Sequence, residues 1–458
     1  MVFVRFSFLI IFLLLGQLTI LAQQKPNFIL IVADDLGFGD LSINGSAQIK
    51  TPHIDELAQT GIRFTEGYVS SPVCSPSRAG LLTGINQVRF GHDNNIGGNQ
   101  LGFDPEFLGL PLTEKTIADH LKKLGYINGL IGKWHLGDAP HFHPLKRGFD
   151  EFWGYTGGGH DYFRSEPDGK GYLSPIECNY KTPEPITYIT DDVGNESVGF
   201  IKKNKAQPFF LYAAFNAPHT PMQATDEDLA LYDFIEDEKR RTYAAMVHRL
   251  DVNVGKIIAA VKEEGLAENT LIVFISDNGG PVDSNASINA PFNGQKGILL
   301  EGGIHVPFIF NWQGKLPEGV TFDYPVTSLD ILPTFLGLAG GKSDKELDGV
   351  DLLPHLLKEN STIPHQDLKW RFTISAAIRE GNWKLVRLPD RLPMLFDLSK
   401  DVSEQKDVSL YHLGKTKELL KKLGAWDVNL PHPVFLEGAI WKKRQLDLYD
   451  KDYVLKQP

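Results

Sequence analysis

Cysteine is nearly missing from this chain: 458 residues contain two, Cys74 and Cys178. That scarcity excludes a disulfide-built scaffold and leaves a single possible pair. Internal repeats and low-complexity tracts are also missing, which excludes solenoids and linker-dominated architectures. There is no basic excess either: 57 acidic residues outnumber 46 basic ones, for a formal charge of -11. This balance argues against nucleic acid as a partner, and an anionic substrate must then be attracted by a local cluster of cations or by a metal. Beyond the first two dozen residues no apolar run is long enough to span a bilayer, so no stable membrane insertion is expected.

What is present begins with "MVFVRFSFLIIFLLLGQLTILAQQKPN": Arg5, an apolar run from Phe8 to Leu15, and a small Ala22 before polar residues. The pattern is that of a secretory signal peptide over residues 1–22. An uncleaved anchor is the competing reading, but the run is short for a spanning helix. No cysteine follows it, which argues against a lipid anchor there. The expected location is therefore outside the cytoplasm, periplasmic or secreted. Two cysteines in an exported protein would ordinarily form one disulfide. The roughly 435 remaining residues exceed one typical domain.

Several β-rich apolar runs end in chemically capable groups. "NFILIVADD" leads into Asp34 and Asp35, and "TLIVFISDN" into Asp277 and Asn278. "INGLIGKWH" delivers Lys133 and His135, and "PFFLYAAFNAPH" delivers His219. Continuous apolar runs of this length suit strands buried on both faces, as in a parallel sheet. Helical patterns separate them. Thr51 is the expected N-cap of a helix that begins at Pro52 and stops by Gly61; Ile117, Leu121 and Leu124 share a face before Gly125; a long stripe carries Val247, Leu250, Val254, Ile258 and Val261. Alternating strands and helices predict an α/β fold, with function gathered beyond the carboxyl ends of the strands. After Gly340 the texture changes to short strand-like pieces, with a hairpin expected at Arg379–Asn382. The predicted organisation is a catalytic domain over residues 23–342 and a smaller α+β domain over 343–458.

Three carboxylates and an amide at two strand ends, Asp34, Asp35, Asp277 and Asn278, make an oxygen set for Ca²⁺ or Mg²⁺. The same residue types also cap loops and helices, and the residues alone leave both readings open. Cys74 opens "CSPSRAGLLTG", where Pro76 suits an early helical position and Leu81 begins an apolar face. A helix N-terminus favours an anion, Arg78 lies one turn further on, and a thiolate placed there would be activated.

Cys74-Ser75-Pro76-Ser77-Arg78 resembles the C-x-P-S-R motif of the type I sulfatases, members of the alkaline phosphatase superfamily. "NFILIVADDLGFGDL", "GKWHLG", "ISDNGG" and "GQKGILLEGGIHVP" resemble further segments of that family, in family order. "LDILPTFLGLAG" and "LFDLSKDVSEQKDV" are also sulfatase-like, so the resemblance covers nearly the whole mature chain. It implies a large, mostly parallel mixed central sheet flanked by helices, with an antiparallel sheet in the smaller C-terminal subdomain. It implies an exported sulfatase of bacterial type acting on sulfated carbohydrates, either algal polysaccharide such as ulvan or carrageenan, or glycosaminoglycan. By position, Cys74 would be converted by a formylglycine-generating maturation enzyme to formylglycine, whose hydrate is the nucleophile. Asp34, Asp35, Asp277 and Asn278, with the modified residue 74, would hold one calcium ion. Arg78 and Lys133 would hold the diol and His135 would handle its proton. His219 and Lys296 would contact the sulfate and its bridging oxygen. Cys178 would be left as a free thiol. The resemblance also leaves open a phosphonate monoester or phosphodiester hydrolase of the same superfamily, and a non-catalytic protein that binds sulfated glycans.

Two departures stand out. His305 replaces the usual arginine of the "EGGxRVP" segment, which would alter a salt bridge there. Gly159 stands where some sulfatases have a serine near the sulfate; the next residues, His160 and Asp161, are candidates to touch sulfate or sugar. Trp134, Trp153, Tyr155, Tyr162, Phe163, Arg164 and Trp383 are candidates to grip a sugar, and the loop 97–111 is a candidate pocket rim.

Overall fold

The computed structural model describes residues 25–97, 104–182, 185–436 and 439–452. The expected signal peptide, residues 1–22, and the middle of the 97–111 loop lie outside the described residues.

Among the described residues, fifteen strands form three sheets. In chain order they are β1 (Asn27–Ala33), β2 (Ile62–Phe64), β3 (Gly67–Tyr68), β4 (Ile127–Lys133), β5 (Glu151–Tyr155), β6 (Glu177–Cys178), β7 (Phe209–Ala214), β8 (Thr270–Ser276), β9 (Phe308–Asn311), β10 (Val320–Phe322), β11 (Val326–Thr327), β12 (Asp367–Phe372), β13 (Ser375–Glu380), β14 (Trp383–Arg387) and β15 (Met394–Asp397). The central sheet has nine strands in the order β10-β2-β9-β8-β1-β7-β4-β5-β6. Its middle, β8-β1-β7-β4-β5, is parallel throughout, while β9 and β6 run antiparallel to their neighbours. The expected mostly parallel mixed sheet is therefore present.

The apolar runs are continuous because each central strand is buried on both faces. Along β1, Ile29, Ile31 and Ala33 point into one core layer, and Phe28, Leu30 and Val32 into the other. The first layer is closed by the helices Ile189–Asn204 and Glu238–Glu263; the second is closed by Cys74–Thr83, Ile117–Lys123 and Ile331–Ala339. The long stripe lies on the helix Glu238–Glu263, with Val247, Leu250, Val254, Ile258 and Val261 all buried. Thr51 precedes Pro52–Gln59 as expected, but its hydroxyl donates to Asp55 and accepts from the Ser42 N–H instead of capping an N–H of the helix. The helix Cys74–Thr83 departs from the sequence reading: it has no apolar face distinct from a polar one, because every residue in it is buried. It lies between the sheet and the helix that starts at Ile331, so polar and apolar side chains alike are enclosed.

The smaller C-terminal sheet is antiparallel, in the order β12-β13-β14-β15, and the expected hairpin turns at Gly381, whose φ is 56°. Strand alternation explains its place. Leu368, Trp370, Phe372 and Val386 pack against Tyr68, Val73 and Leu299 of the larger unit, whereas Ile378 and Leu385 pack on Leu419 and Leu423 of the helix Leu413–Asp427.

A buried charge network crosses this junction. Glu301 accepts from Lys384 (2.8 Å), from Tyr68 Oη (2.5 Å) and from His305 Nδ1 (2.9 Å). Lys384, fully buried, also bridges Glu404 at 2.8 Å. Burial pushes the Glu404 carboxyl up to about 7, against the pull of Lys384. His305 thus keeps a bond to Glu301 and stacks on Phe292 at 4.0 Å, while the permanent cations of the network, Lys384 and Arg379, come from the small sheet. Lys384→Met leaves two buried carboxyls without their shared cation, and an unpaired buried charge costs about 3–5 kcal/mol. Urea unfolding of that variant, followed by circular dichroism, is expected to show a clearly lowered midpoint; a midpoint like the wild type's would refute the assignment.

Candidate active site

The carboxyl ends of β1, β4, β7 and β8 open on the same side of the sheet, and the N-terminus of Cys74–Thr83 points at them. Successive strand residues face opposite ways. Asp35 breaks the rule with φ 67°, a left-handed conformation that aspartate tolerates better than most residues, and this turn lets Asp34 and Asp35 serve one site. His135, at φ 59°, is held in the same strained region. Between it and Lys133, Trp134 is committed to the core.

Cys74 is the first residue of its helix, with Val73 as N-cap. Its Sγ lies 3.4 Å from Asp34 Oδ1, 3.8 Å from Asp35 Oδ1 and 3.0 Å from Lys296 Nζ. Oxygens of Asp34, Asp35 and Asp277 and the Cys74 sulfur all fall within 4.8 Å of one another. Arg78, one turn along the helix, reaches back to Asp277 with Nε at 2.9 Å and to Tyr212 Oη at 3.2 Å. Lys133 Nζ sits 2.6 Å from Asp34, and Lys296 Nζ 2.7 Å from Asp35. His219 Nε2 is 3.6 Å from Asp35 Oδ2, and its Nδ1 lies 2.6 Å from the Thr220 carbonyl.

Burial sets the electrostatics. It raises the Asp35 carboxyl, but Lys296, His219 and Lys133 outweigh it and hold the group at about 2. At Asp277 burial prevails, with Asp34 adding repulsion, and the carboxyl lies above its ordinary range despite Arg78. Burial brings His219 down to about 3 and His135 well below its usual value. It also pushes the Cys74 thiol far up, against Lys133 and Lys296. The helix N-terminus therefore does not activate this thiol as the sequence suggested: desolvation wins, and an unmodified Cys74 is a neutral, 1% exposed group.

The residues fit a hard divalent cation. The Asn278 amide donates to Asp35 Oδ1 at 2.7 Å, while its own carbonyl oxygen is buried without a hydrogen-bond partner. That acceptor, beside three converging carboxylates, is the donor set a calcium-sized ion takes. Asp277 is partly a capping group as well, since its Oδ1 accepts from the Asp35 N–H at 3.2 Å.

The site residues fall into layers. Asp34, Asp35, Cys74, Arg78, Lys133, His219, Asp277, Asn278 and Lys296 are joined by direct contacts. His135 is one layer out: its Nε2 faces the Ile96 carbonyl at 2.8 Å, and its buried Nδ1 is unpartnered. His160 is fully buried, with its ring nitrogens 2.7 Å from the carbonyls of Asp161 and Ser174. The Asp161 carboxylate accepts from the N–H groups of Phe163 and Arg164 and from Gln223. Of the candidate sugar-gripping residues, Trp134, Trp153, Tyr155 and Tyr162 are core residues, and Trp383 packs in the cluster under the Leu413–Asp427 helix. Only Phe163 and Arg164 are exposed.

Sequence reasoning missed four supporting groups: Tyr212, which braces Arg78; Asn216, which takes the Tyr155 hydroxyl at 2.7 Å; His92, which meets Ser75 Oγ at 2.7 Å; and Tyr172, whose ring meets that of His219 edge to face. Asn216 follows a strand end in "FNAPH" and was legible from that position. The other three carry no local signal. The two cysteines are unpaired: Cys178 is on the edge strand β6, half-buried, and Cys74 is at the centre.

Residues 26–341 match the sulfatase family. N-acetylgalactosamine-6-sulfatase of Mus musculus is 37% identical over 365 residues, covering 75% of this chain and 68% of that protein. The crystal structure of Ps i-CgsB, solved alone and in complex with k-i-k-neocarrahexaose, superposes with TM-score 0.85 at 39% identity, covering 94% of this chain and 98% of the other. The phosphonate monoester hydrolase of Agrobacterium radiobacter shares the fold, with TM-score 0.65 at 21% identity over 88% of this chain and 96% of that one.

A cation held by this oxygen set stabilises the folded protein by mass action. Millimolar Ca²⁺ is expected to raise the thermal unfolding midpoint of the wild type, and Asn278→Leu, which removes the unpartnered oxygen, to weaken calcium binding tenfold or more by calorimetry. Equal binding by the variant would remove Asn278 from the ligand set.

Proposed function

The chain belongs to the sulfatase family, sulfuric ester hydrolases that generally use formylglycine and a divalent metal, and on that premise we propose that it is an exported, calcium-dependent hydrolase of carbohydrate sulfate esters whose nucleophile derives from Cys74. One observation carries the reading: a single buried side chain, Cys74, stands where an oxygen cage, two lysines and an arginine converge. A binding protein has no need of such a group at that point.

The charges suit the substrate. Asp34, Asp35 and Asp277 cancel Arg78, Lys133 and Lys296, so the side chains alone leave little net attraction for an anion. Calcium held by Asp34, Asp35, Asp277 and Asn278 would supply the missing positive charge, and residue 74, as the hydrate of formylglycine, would supply a nucleophilic hydroxyl together with a second one from which the aldehyde could be restored. Arg78 and Lys133 orient the group at position 74 and stabilise the charge that develops on the sulfate oxygens in a site closed to water. Burial disfavours the charged form of Lys296, but Asp35 leads a set of neighbours, with Asp34 and Asp277 behind it, that together outweigh the desolvation and keep it cationic. Lys296 shares with His219 the side of the site where the bridging oxygen leaves, and one of this pair protonates the departing alcohol. His135, with a free ring nitrogen, takes the proton of the second hydroxyl.

The substrate class follows the relatives. One is named for N-acetylgalactosamine-6-sulfate chemistry and another was solved with a carrahexaose. We assign this chain sulfated polysaccharide or its fragments, algal galactan or ulvan, or glycosaminoglycan. Because Cys74 is buried in the folded chain, its conversion acts before folding is complete. Export rests on residues 1–22; no described helix is long and apolar enough to cross a membrane.

Coexpression with a formylglycine-generating enzyme is expected to yield a Cys74 peptide with the mass of the aldehyde. The converted protein should release sulfate from 4-nitrophenyl sulfate and from sulfated saccharides, and chelation of divalent ions should stop it. Cys74→Ala should lower turnover by about 10⁴-fold or more and His219→Ala by about 10²–10⁴-fold. A strong preference for phenyl phosphonate esters would reassign the chain to phosphonate hydrolysis; saccharide binding with no turnover by the converted protein would leave a glycan-binding role.

A further inference from the structure

The file of groups that starts at Cys74 does not end at His219. Atoms of Asp34, Cys74 and His219 lie within 4.8 Å of one another. The His219 ring then meets the ring of Tyr172, edge to face, at 6.3 Å and 83°. The Tyr172 hydroxyl lies 3.4 Å from Thr220 Oγ1, on the turn that carries His219. Gly159 fills the angle between the two rings: a Cβ there would come within 2.6 Å of Tyr172 Cε1 and 3.0 Å of His219 Cε1. A side chain at 159 would displace the Tyr172 ring, so with that ring in place the serine that some sulfatases carry has no room here. His219 is almost covered, whereas Tyr172 is 45% exposed. A tyrosine ring therefore forms the outer wall immediately beyond the side chain assigned to the leaving oxygen.

That wall is held rigidly although it stands in an irregular loop. The Tyr172 carbonyl accepts from Asp161 N at 2.7 Å, the Ser174 carbonyl takes one ring nitrogen of His160, and Leu173 O accepts from Glu166 N at 3.1 Å. His160 and Asp161 thus clip residues 172–174 to the glycine loop. The other exposed aromatic of this loop, Phe163, leans on Tyr188 at 5.1 Å, and no contact ties it to His219.

We propose that Tyr172 is the platform on which the sugar bearing the scissile sulfate rests, and so a specificity-determining residue of this enzyme; the proposal rests on the sulfatase reading above. A sugar ring presents an apolar C–H face flanked by hydroxyls. A fixed phenol offers it a flat apolar surface and a polar tip at small entropic cost. His160 acts as a positioning residue for that ring.

The test uses converted enzyme and a sulfated oligosaccharide that the wild type desulfates. Tyr172→Ala is expected to raise KM about tenfold with kcat within about threefold, and to weaken inhibition by the desulfated oligosaccharide to the same degree. Tyr172→Phe should keep both constants within about threefold, and Tyr172→Leu should behave like the alanine variant while filling more of the volume. Formylglycine content and unfolding midpoint, measured on each variant, separate loss of the platform from loss of maturation or folding. Unchanged KM and inhibition in Tyr172→Ala and Tyr172→Leu, or a fall in kcat alone, would overturn the platform. Failure of the wild type to release sulfate from any saccharide would instead overturn the sulfatase reading, and the platform with it.

Discussion

The carboxylate of Asp277 is the tie on which the rest of the site depends. One oxygen takes Arg78 Nε and the other takes the backbone N–H of Asp35, so the ends of β8 and β1 and the Cys74–Thr83 helix are locked together. All three partners are fully or almost fully enclosed. In that setting the guanidinium and the carboxylate require one another, because either left alone would be a buried uncompensated charge. Arg78 sits one turn into the helix, so its anchoring also fixes the direction in which the first residue, Cys74, is presented. Helix position, strand end and the position of residue 74 are thereby set by a single bonded unit drawn from residues up to 242 apart in sequence.

Much of this was legible from the sequence, and for a physical reason. Strands buried on both faces must be apolar along their length, so the first polar residues after "FILIVA" or "LIVFIS" mark where the chain leaves the core. In a parallel sheet those exits gather on one side, which is why Asp34, Lys133, His219 and Asp277 could be grouped before any coordinates. The aromatic residues could not be sorted in the same way. Trp134 and Tyr155 lie beside exit points and look like rim residues, but one buries its indole N–H on the Phe142 carbonyl and the other its hydroxyl on Asn216. A tryptophan or tyrosine reads the same in sequence whether its polar atom finds protein or solvent. Tyr172, conversely, lies among glycines and charges with no periodicity at all. Its position comes from main-chain bonds, its own carbonyl to the Asp161 N–H and that of Leu173 to the Glu166 N–H, which no local pattern encodes.

The acidic surface and the site follow different rules. A chain of charge -11 repels anions at long range, yet screening confines that repulsion to about 8 Å at physiological ionic strength. Within the pocket only the buried groups count, and there three carboxylates meet three permanent cations. The pocket is tuned to near neutrality until a divalent ion is present. Cation affinity and anion affinity are then coupled: each of the two charged guests makes the other's desolvation less costly. This coupling also explains why the carboxylates, which by themselves disfavour an anionic ester, are the groups around which the site is built.

Space is the second constraint, and it acts on the glycine loop. A Cβ at Gly158 would lie 2.8 Å from His135 Nε2, and one at Gly159 would strike His219 and Tyr172, whereas Gly157 faces open room. The two histidines therefore claim the volume that side chains on this loop would need, and the loop contributes backbone only. The exposed side chains nearest His219 then stand outside the loop, Tyr172 among them, on the segment clipped to it by His160 and Asp161. Centre and rim are thereby kept apart, because the boundary between them is drawn by two positions at which a side chain would have to displace a ring.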